Sequence, residues 1–212
     1  INGINEMTEE AKTNLITNVQ NLPAGGGTPL CESLYEAGLF FAGEAMKWGD
    51  TNDTDEAVYD ESTPVYKSPF SGCTERAYII MVSDGQPSSN DNSANSLIKK
   101  LPGIGAAYTD DNVKNNYIPA LADWLSQNDV NTTLYGKQTI ELYTIGFGAG
   151  ALNAAGVLKE AADLSGGKYF PATDANKLTG ALINVIANLK PTNKSLTSAS
   201  VGVDNFDRTQ SL

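Results

Sequence analysis

The chain has 212 residues, 41% of them hydrophobic, which is enough for one domain with a sizeable core. Its 14 Lys and Arg against 25 Asp and Glu give a formal net charge of -11, which argues against binding to nucleic acid phosphates or anionic lipid. The absence of histidine excludes Ser-His-Asp and Cys-His catalysis and His-ligated zinc. No apolar run approaches the ~20 residues that a membrane span needs.

The first predicted elements are two helices. Apolar residues recur at helical spacing from Ile4 to Val19, and a segment rich in glycine ends this helix. Thr28 and Pro29 then suit the N-cap and the first position of a second helix, whose apolar stripe continues to Ala45.

Three short apolar segments, residues 77–82, 140–145 and 168–170, predict strands of a parallel sheet. A polar stretch follows the first strand to about Asn95, and further helical patterns lie between and after the strands. The last helix has Asp174 as its predicted N-cap. This alternation predicts an α/β fold with an open, mostly parallel, Rossmann-like sheet and helices on both faces.

Three strands joined by crossovers bury little surface and leave long edges. We therefore expect the chain to be the later part of a doubly wound domain whose first strands lie upstream, which agrees with a start at Ile1 rather than Met. A boundary near Pro191 divides the chain. Residues 1–190 are the predicted C-terminal part of this domain, and residues 191–212 are a predicted linker and first strand of a following unit.

Thr28 and Asp84 are the candidate metal ligands. Asp84 follows the first predicted sheet strand, and ligands of open α/β sheets bind beyond the carboxyl ends of the strands. A carboxylate with hydroxyls and water suits a hard cation such as Mg²⁺. Two simpler explanations stay open, because Thr28 could serve only as an N-cap and Asp84 only as a turn residue.

Together these residues resemble a von Willebrand factor A domain. That family combines an Asp-x-Ser-x-Ser motif after its first strand, a Thr in a later loop and an Asp in a Thr/Ser-Asp-Gly motif. Thr28 matches the second part, Asp84 the third, and residues 143–148 are similar to the fifth strand. The resemblance spans residues 1–189 and implies a metal-ion-dependent adhesion site for Mg²⁺ or another divalent cation. No Asp-x-Ser-x-Ser motif occurs in the chain.

Longer motifs are similar to the A domain of the PilY family, tip-associated proteins of bacterial type IV pili. They are GGTPLCESLYEA at 26–37, SPFSGC at 68–73 and YIIMVSDG at 78–85, followed by an exit segment at 197–201. The resemblance implies a non-catalytic module that supports pilus assembly, adhesion or surface sensing. Its implied partners are minor pilins, the pilus tip and a host or abiotic surface ligand, and its implied location is extracellular, after export through the periplasm.

The two cysteines fit this resemblance as a disulfide. Cys31 would lie in the first turn of the second helix and Cys73 just before the strand of Asp84, so that a bridge would close the acidic loop between them. Such a bridge favours an oxidising compartment, whereas two reduced thiols would suit the cytosol.

Two other motifs offer rival functions. Residues 146–151 satisfy the Gly-x-Gly-x-x-Ala fingerprint of dinucleotide-binding enzymes, with Asp174 as a possible ribose ligand. Residues 50–61 have EF-hand-like spacing of oxygen groups, but Asp55 stands where the sharp turn needs glycine. A purely structural interaction domain without metal is the main alternative to the adhesion module. No nucleophile and base are paired in the sequence, so we do not expect an enzyme.

Overall fold

The computed structural model describes residues 8–22, 25–52, 54–73, 75–87 and 92–189. Its helices are α1 (Glu9–Gln20), α2 (Leu30–Ala42), α3 (Asn92–Ile98), α4 (Ile118–Gln127), α5 (Ala155–Ser165) and α6 (Ala175–Asn188). Its strands are β1 (Tyr59–Asp60), β2 (Val65–Tyr66), β3 (Glu75–Ser83), β4 (Gln138–Phe147) and β5 (Tyr169–Ala172). Short 3-10 helices occupy Glu56–Val58 and Gly150–Ala154. The predicted boundary near Pro191 and the predicted strand in residues 191–212 lie outside the described residues.

A three-stranded parallel sheet in the order β3, β4, β5 forms the centre of the fold. β3 pairs with β4 along its whole length, from Glu75 opposite Gln138 to Ser83 opposite Gly146. β5 pairs with the last four residues of β4. The sheet confirms the predicted α/β class and the three predicted strands. The antiparallel pair β1 and β2, of two residues each, was not predicted.

Helices cover both faces of the sheet, as predicted. Ile140 and Leu142 of β4 are buried in the larger core cluster with residues of α2, α3, α4 and α5. The alternate residues Tyr143 and Ile145 point to the opposite face and are buried with Val185 of α6. The longest described helix, α6, has 14 residues, and no helix in the described ranges is long and apolar enough to span a membrane.

The structure confirms the first predicted helix, α1. The Thr8 hydroxyl accepts a hydrogen bond from the Ala11 N–H at 3.1 Å and so caps α1. None of the helix residues is buried, and Leu15 and Val19 are 47% and 58% exposed. The start of the predicted helix at Ile4 lies outside the described residues.

α3 begins within the polar stretch after β3, where no helix was predicted. Its sequence, NSANSLI, has too few apolar residues to show a helical period. Packing nevertheless buries Ala94, Asn95 and Ile98 of this helix against the core that contains α2. The helix forms because burial of three side chains offsets the weak intrinsic preference of this sequence for helical structure.

Candidate functional site

The carboxyl end of β3 brings Thr28 and Asp84 onto adjoining loops. β3 ends at Ser83, so Asp84 and Gly85 lie beyond the edge of the sheet where α/β proteins bind ligands. Thr28 lies in the loop before α2, and its hydroxyl oxygen is 3.6 Å from the point that a Cβ on Gly85 would occupy. Thr28 therefore lies beside the turn that contains Asp84, although the two residues are 56 positions apart in the chain.

Thr28 is not the N-cap of α2, which was the simpler explanation for its presence. The N-cap residue is Pro29, the helix starts at Leu30, and no side-chain hydrogen bond caps it. The Thr28 carbonyl accepts a hydrogen bond from the Leu30 N–H at 2.9 Å. Its hydroxyl makes no hydrogen bond to any other described residue.

Asp84 does not shape the turn after β3. The Ser83 hydroxyl does so, because it donates to the Gly85 carbonyl at 2.9 Å and accepts from the Gly85 N–H at 3.4 Å. The Asp84 side chain is exposed and makes no hydrogen bond or ion pair with the rest of the described chain. Its backbone carbonyl packs so closely on Gly150 that a Cβ there would collide with it.

The two side chains offer a cation a carboxylate and a hydroxyl. These oxygens suit a hard cation such as Mg²⁺, which prefers six oxygen ligands and usually keeps several waters. Among the described residues, no group of three or more His, Cys, Asp or Glu side chains could hold a metal ion. By themselves Thr28 and Asp84 supply two protein oxygens, which is only part of a coordination shell.

The loop between α3 and α4 lies beside this edge and is fixed by a Tyr–Asp pair. The Tyr108 hydroxyl donates to the Asp110 carboxylate at 2.7 Å, and the backbone N–H groups of Asn112 and Val113 donate to the same carboxylate. The Gln86 side chain donates to the Asn112 carbonyl at 3.4 Å and so connects the loop with the end of β3. The bond from Tyr108 lowers the pKa of Asp110, while burial and Asp110 raise the pKa of Tyr108 to about 12.

Cys31 lies in the first turn of α2 as a fully buried thiol. It donates to the side-chain oxygens of Asn95 on α3, at 3.4 Å, and of Asn116 ahead of α4, at 3.3 Å. These partners are 64 and 85 residues away, and no local pattern identified either asparagine as a contact of α2. The thiol therefore links the loop of Thr28 to two distant segments.

The predicted disulfide between Cys31 and Cys73 is wrong, since the two cysteines are not bonded to each other. Cys73 is exposed just before β3, and its carbonyl accepts a hydrogen bond from the Gln138 side chain at the amino end of the sheet. Cys31 lies towards the carboxyl end, and a strand of nine residues spans roughly 26 Å. A disulfide needs Cα atoms within about 7 Å. The pair consequently no longer supports an oxidising compartment.

Packing explains the glycines of the dinucleotide fingerprint. A Cβ on Gly146 would lie 2.6 Å from a tyrosine hydroxyl of β5, and Gly148 has a φ of 73°. The segment continues as the 3-10 helix Gly150–Ala154, whereas the fingerprint places the pyrophosphate at the start of an α-helix. Asp174, the possible ribose ligand, is instead the N-cap of α6 and accepts from a backbone N–H at 3.0 Å, as predicted.

The carboxylates of the acidic loop form local turns. Asp50 and Asp60 each accept a hydrogen bond from the backbone N–H two residues further on, at 2.8 and 2.9 Å. Asp55 caps the 3-10 helix Glu56–Val58. Asp53 lies outside the described residues. These bonds use the carboxylates to shape the backbone, which argues against an EF-hand-like site.

Comparisons with models of known protein families, with curated proteins and with solved structures found no match for this chain. The assignment of the α/β fold therefore depends on the geometry of this chain alone, and the resemblance to an A domain depends on the sequence motifs.

Thiol labelling distinguishes the two cysteines. Because Cys73 is exposed and Cys31 is fully buried, we expect iodoacetamide to alkylate Cys73 rapidly and to reach Cys31 only after unfolding in guanidinium. Peptide mass analysis identifies both sites, and a Cys73→Ser variant should lose the rapid reaction. If reduction of the native chain released two additional thiols, this result would instead support a disulfide between Cys31 and Cys73.

The Tyr108–Asp110 pair predicts a dependence of stability on pH. The lowered pKa of Asp110 contributes stability above its ordinary value of 3.8 that is lost as the pH falls. The raised pKa of Tyr108 contributes stability below pH 10 that is lost as the pH rises towards about 12.

In a Tyr108→Phe variant we expect the pKa of Asp110, measured by NMR, to move up towards its ordinary value. The loss of thermal stability between pH 10 and 12 should also become smaller. Tyr135→Phe, at a side chain that is 88% exposed, should change neither property. An identical Asp110 titration in wild type and Tyr108→Phe would contradict the prediction.

Proposed function

We propose that this chain is a non-catalytic adhesion and interaction module of the von Willebrand factor A type, within a PilY-like tip protein of type IV pili. The main support is the position of the Thr28 hydroxyl oxygen, 3.6 Å from the point that a Cβ on Gly85 would occupy, beside the loop that carries Asp84 at the carboxyl end of β3. Neither side chain is used for capping or for the turn. A divalent cation held by these oxygens and by water would accept a carboxylate of the ligand.

The architecture and composition agree with a binding role. A parallel sheet with helices on both faces is compatible with an A domain, and it exposes its ligand edge at the strand ends. With no histidine and a net charge of -11, the chain favours an oxygen-only cation site and disfavours nucleic acid.

The proposed partners follow from the resemblance to the PilY family. They are minor pilins, the pilus tip and a ligand on a host or abiotic surface. We propose an extracellular location at the pilus tip or bacterial cell surface, reached by export through the periplasm. The module would there support pilus assembly, adhesion or surface sensing.

A purely structural interaction domain without metal is the second candidate. Its support is that only two protein oxygens meet at the candidate site, which is few for a stable cation complex. A dinucleotide-binding enzyme fragment is a weaker third candidate, because close packing and backbone conformation explain Gly146 and Gly148.

Magnesium should raise the melting temperature of the chain through Asp84. At a magnesium concentration ten times the dissociation constant, binding should raise the free energy of unfolding by about 1.4 kcal/mol. For a domain of this size, that gain corresponds to a rise in melting temperature of roughly 3–6 °C. Asp84→Ala should abolish the shift and Thr28→Val should weaken it, as measured by differential scanning calorimetry with and without EDTA. Asp123→Ala, which removes an equal charge in the middle of α4, should keep it.

A shift that persists in Asp84→Ala would contradict metal binding at this site. Absence of any shift in the wild-type chain would favour the structural alternative.

The location can be tested on intact cells of the native host. Immunogold labelling with an antibody against this chain should place label at the ends of pili. Permeabilised cells and a deletion strain are the controls. Label that appears only after permeabilisation would refute the pilus assignment.

A further inference from the structure

An open pocket of about 500 Å³ lies along α2, between this helix and the turn that follows it. We name it the α2 pocket. Its apolar wall includes Pro29, Phe40 and Trp48, and two carboxylates, Glu32 and Glu36, share the lining. An apolar, partly aromatic cavity with a few charged groups is the usual form of a ligand site.

Glu36 is a buried carboxylate, only 7% exposed, with unusually complete hydrogen bonding. It accepts from the backbone N–H groups of Lys47, Trp48 and Gly49 at 3.0 to 3.2 Å, and from the Tyr66 hydroxyl at 2.7 Å. All four donors are neutral, and no ion pair among the described residues involves Glu36. The hydrogen bonds therefore stabilise a negative charge without cancelling it.

The local backbone is built around this carboxylate. A Cβ on Gly49 would collide with the Tyr66 hydroxyl and would lie 3.0 Å from an oxygen of Glu36. Burial and the contact with Glu36 raise the pKa of Tyr66, which keeps its hydroxyl protonated as a donor. The negative charge thus has a fixed position in the pocket.

An aromatic ring and a second carboxylate also line the α2 pocket. Trp48 is half-buried and packs edge-to-face with Tyr35, with ring centroids 5.9 Å apart, which orients its indole. Glu32 is half-exposed and accepts a hydrogen bond from the Ser93 hydroxyl. A carboxylate has about four acceptor positions, so Glu32 can accept further donors.

We propose that the α2 pocket binds an arginine side chain of a partner polypeptide. The planar guanidinium would stack on the Trp48 indole and donate to the Glu32 carboxylate, above the fixed charge of Glu36. An acidic ligand would be repelled there, and an apolar ligand would leave Glu36 dehydrated without a counter-charge. The net charge of -11 also speeds the approach of a basic partner.

Arginine fits this pocket better than lysine. The oxygens of Glu36 are already occupied by hydrogen bonds, so a compact ammonium would gain little direct contact there. A guanidinium instead combines stacking with paired hydrogen bonds to Glu32. The binding needs no metal and uses neither Thr28 nor Asp84, so it is independent of the proposed adhesion site.

The test uses the full chain in EDTA and the blocked tripeptide acetyl-Gly-Arg-Gly-amide. We expect its titration to shift the Trp48 indole signal in ¹H–¹⁵N NMR spectra. The Trp124 indole, which donates to the Pro102 carbonyl, should stay unchanged as an internal reference. The citrulline peptide, a neutral isostere, should bind at least about tenfold more weakly, and the lysine peptide should be weaker than the arginine peptide.

Glu32→Gln should weaken arginine binding at least about fivefold while the circular dichroism spectrum is unchanged. Glu10→Gln is the matched control, because it removes the same charge from the exposed face of α1. Equal binding of the arginine and citrulline peptides would overturn the proposal. An equal loss of arginine-peptide affinity in Glu32→Gln and Glu10→Gln would also overturn the proposal, because general charge attraction would then explain the binding.

Discussion

The parallel pairing of β3 with β4 is the constraint on which the arrangement of the molecule depends. Nine consecutive residue pairs fix the register, and β4 is buried along almost its whole length between two helical layers. A shift of one residue would turn every β4 side chain to the other face, where it would lose its packing partners in one of two different core clusters. The observed register places the end of β3 beside the loops before α2 and after β4, where Asp84 contacts Gly150.

The same pairing separates groups that are close in sequence and joins groups that are distant. Cys73 and Asp84 stand at opposite ends of β3, although only 11 positions separate them. Thr28 meets Gly85 from a different part of the chain. The candidate cation ligands and the α2 pocket therefore border each other at one end of α2, and the exposed thiol is remote from both. A partner could contact both candidate sites without approaching Cys73.

Sequence reasoning predicted the elements whose signals are local. α5 and α6 have apolar stripes of helical period, and Asp174 is the N-cap of α6, as predicted. It missed α3 and the β1–β2 ladder, because a seven-residue polar helix and two-residue strands are too short to show a period. It named Thr28 and Asp84 but not Glu36, whose partners come from a turn that no motif identified.

The sequence by itself determined the α/β class, the three sheet strands and the acidic, histidine-free surface chemistry, because these depend on composition and on periodicity within short segments. Only the tertiary structure decided that Thr28 is not a cap, that Cys31 bonds to asparagines rather than to Cys73, and that a carboxylate is buried at Glu36. Each of these outcomes depends on which distant segments pack together. Packing is set by the burial of the whole core, and residue spacing along the chain does not encode it locally.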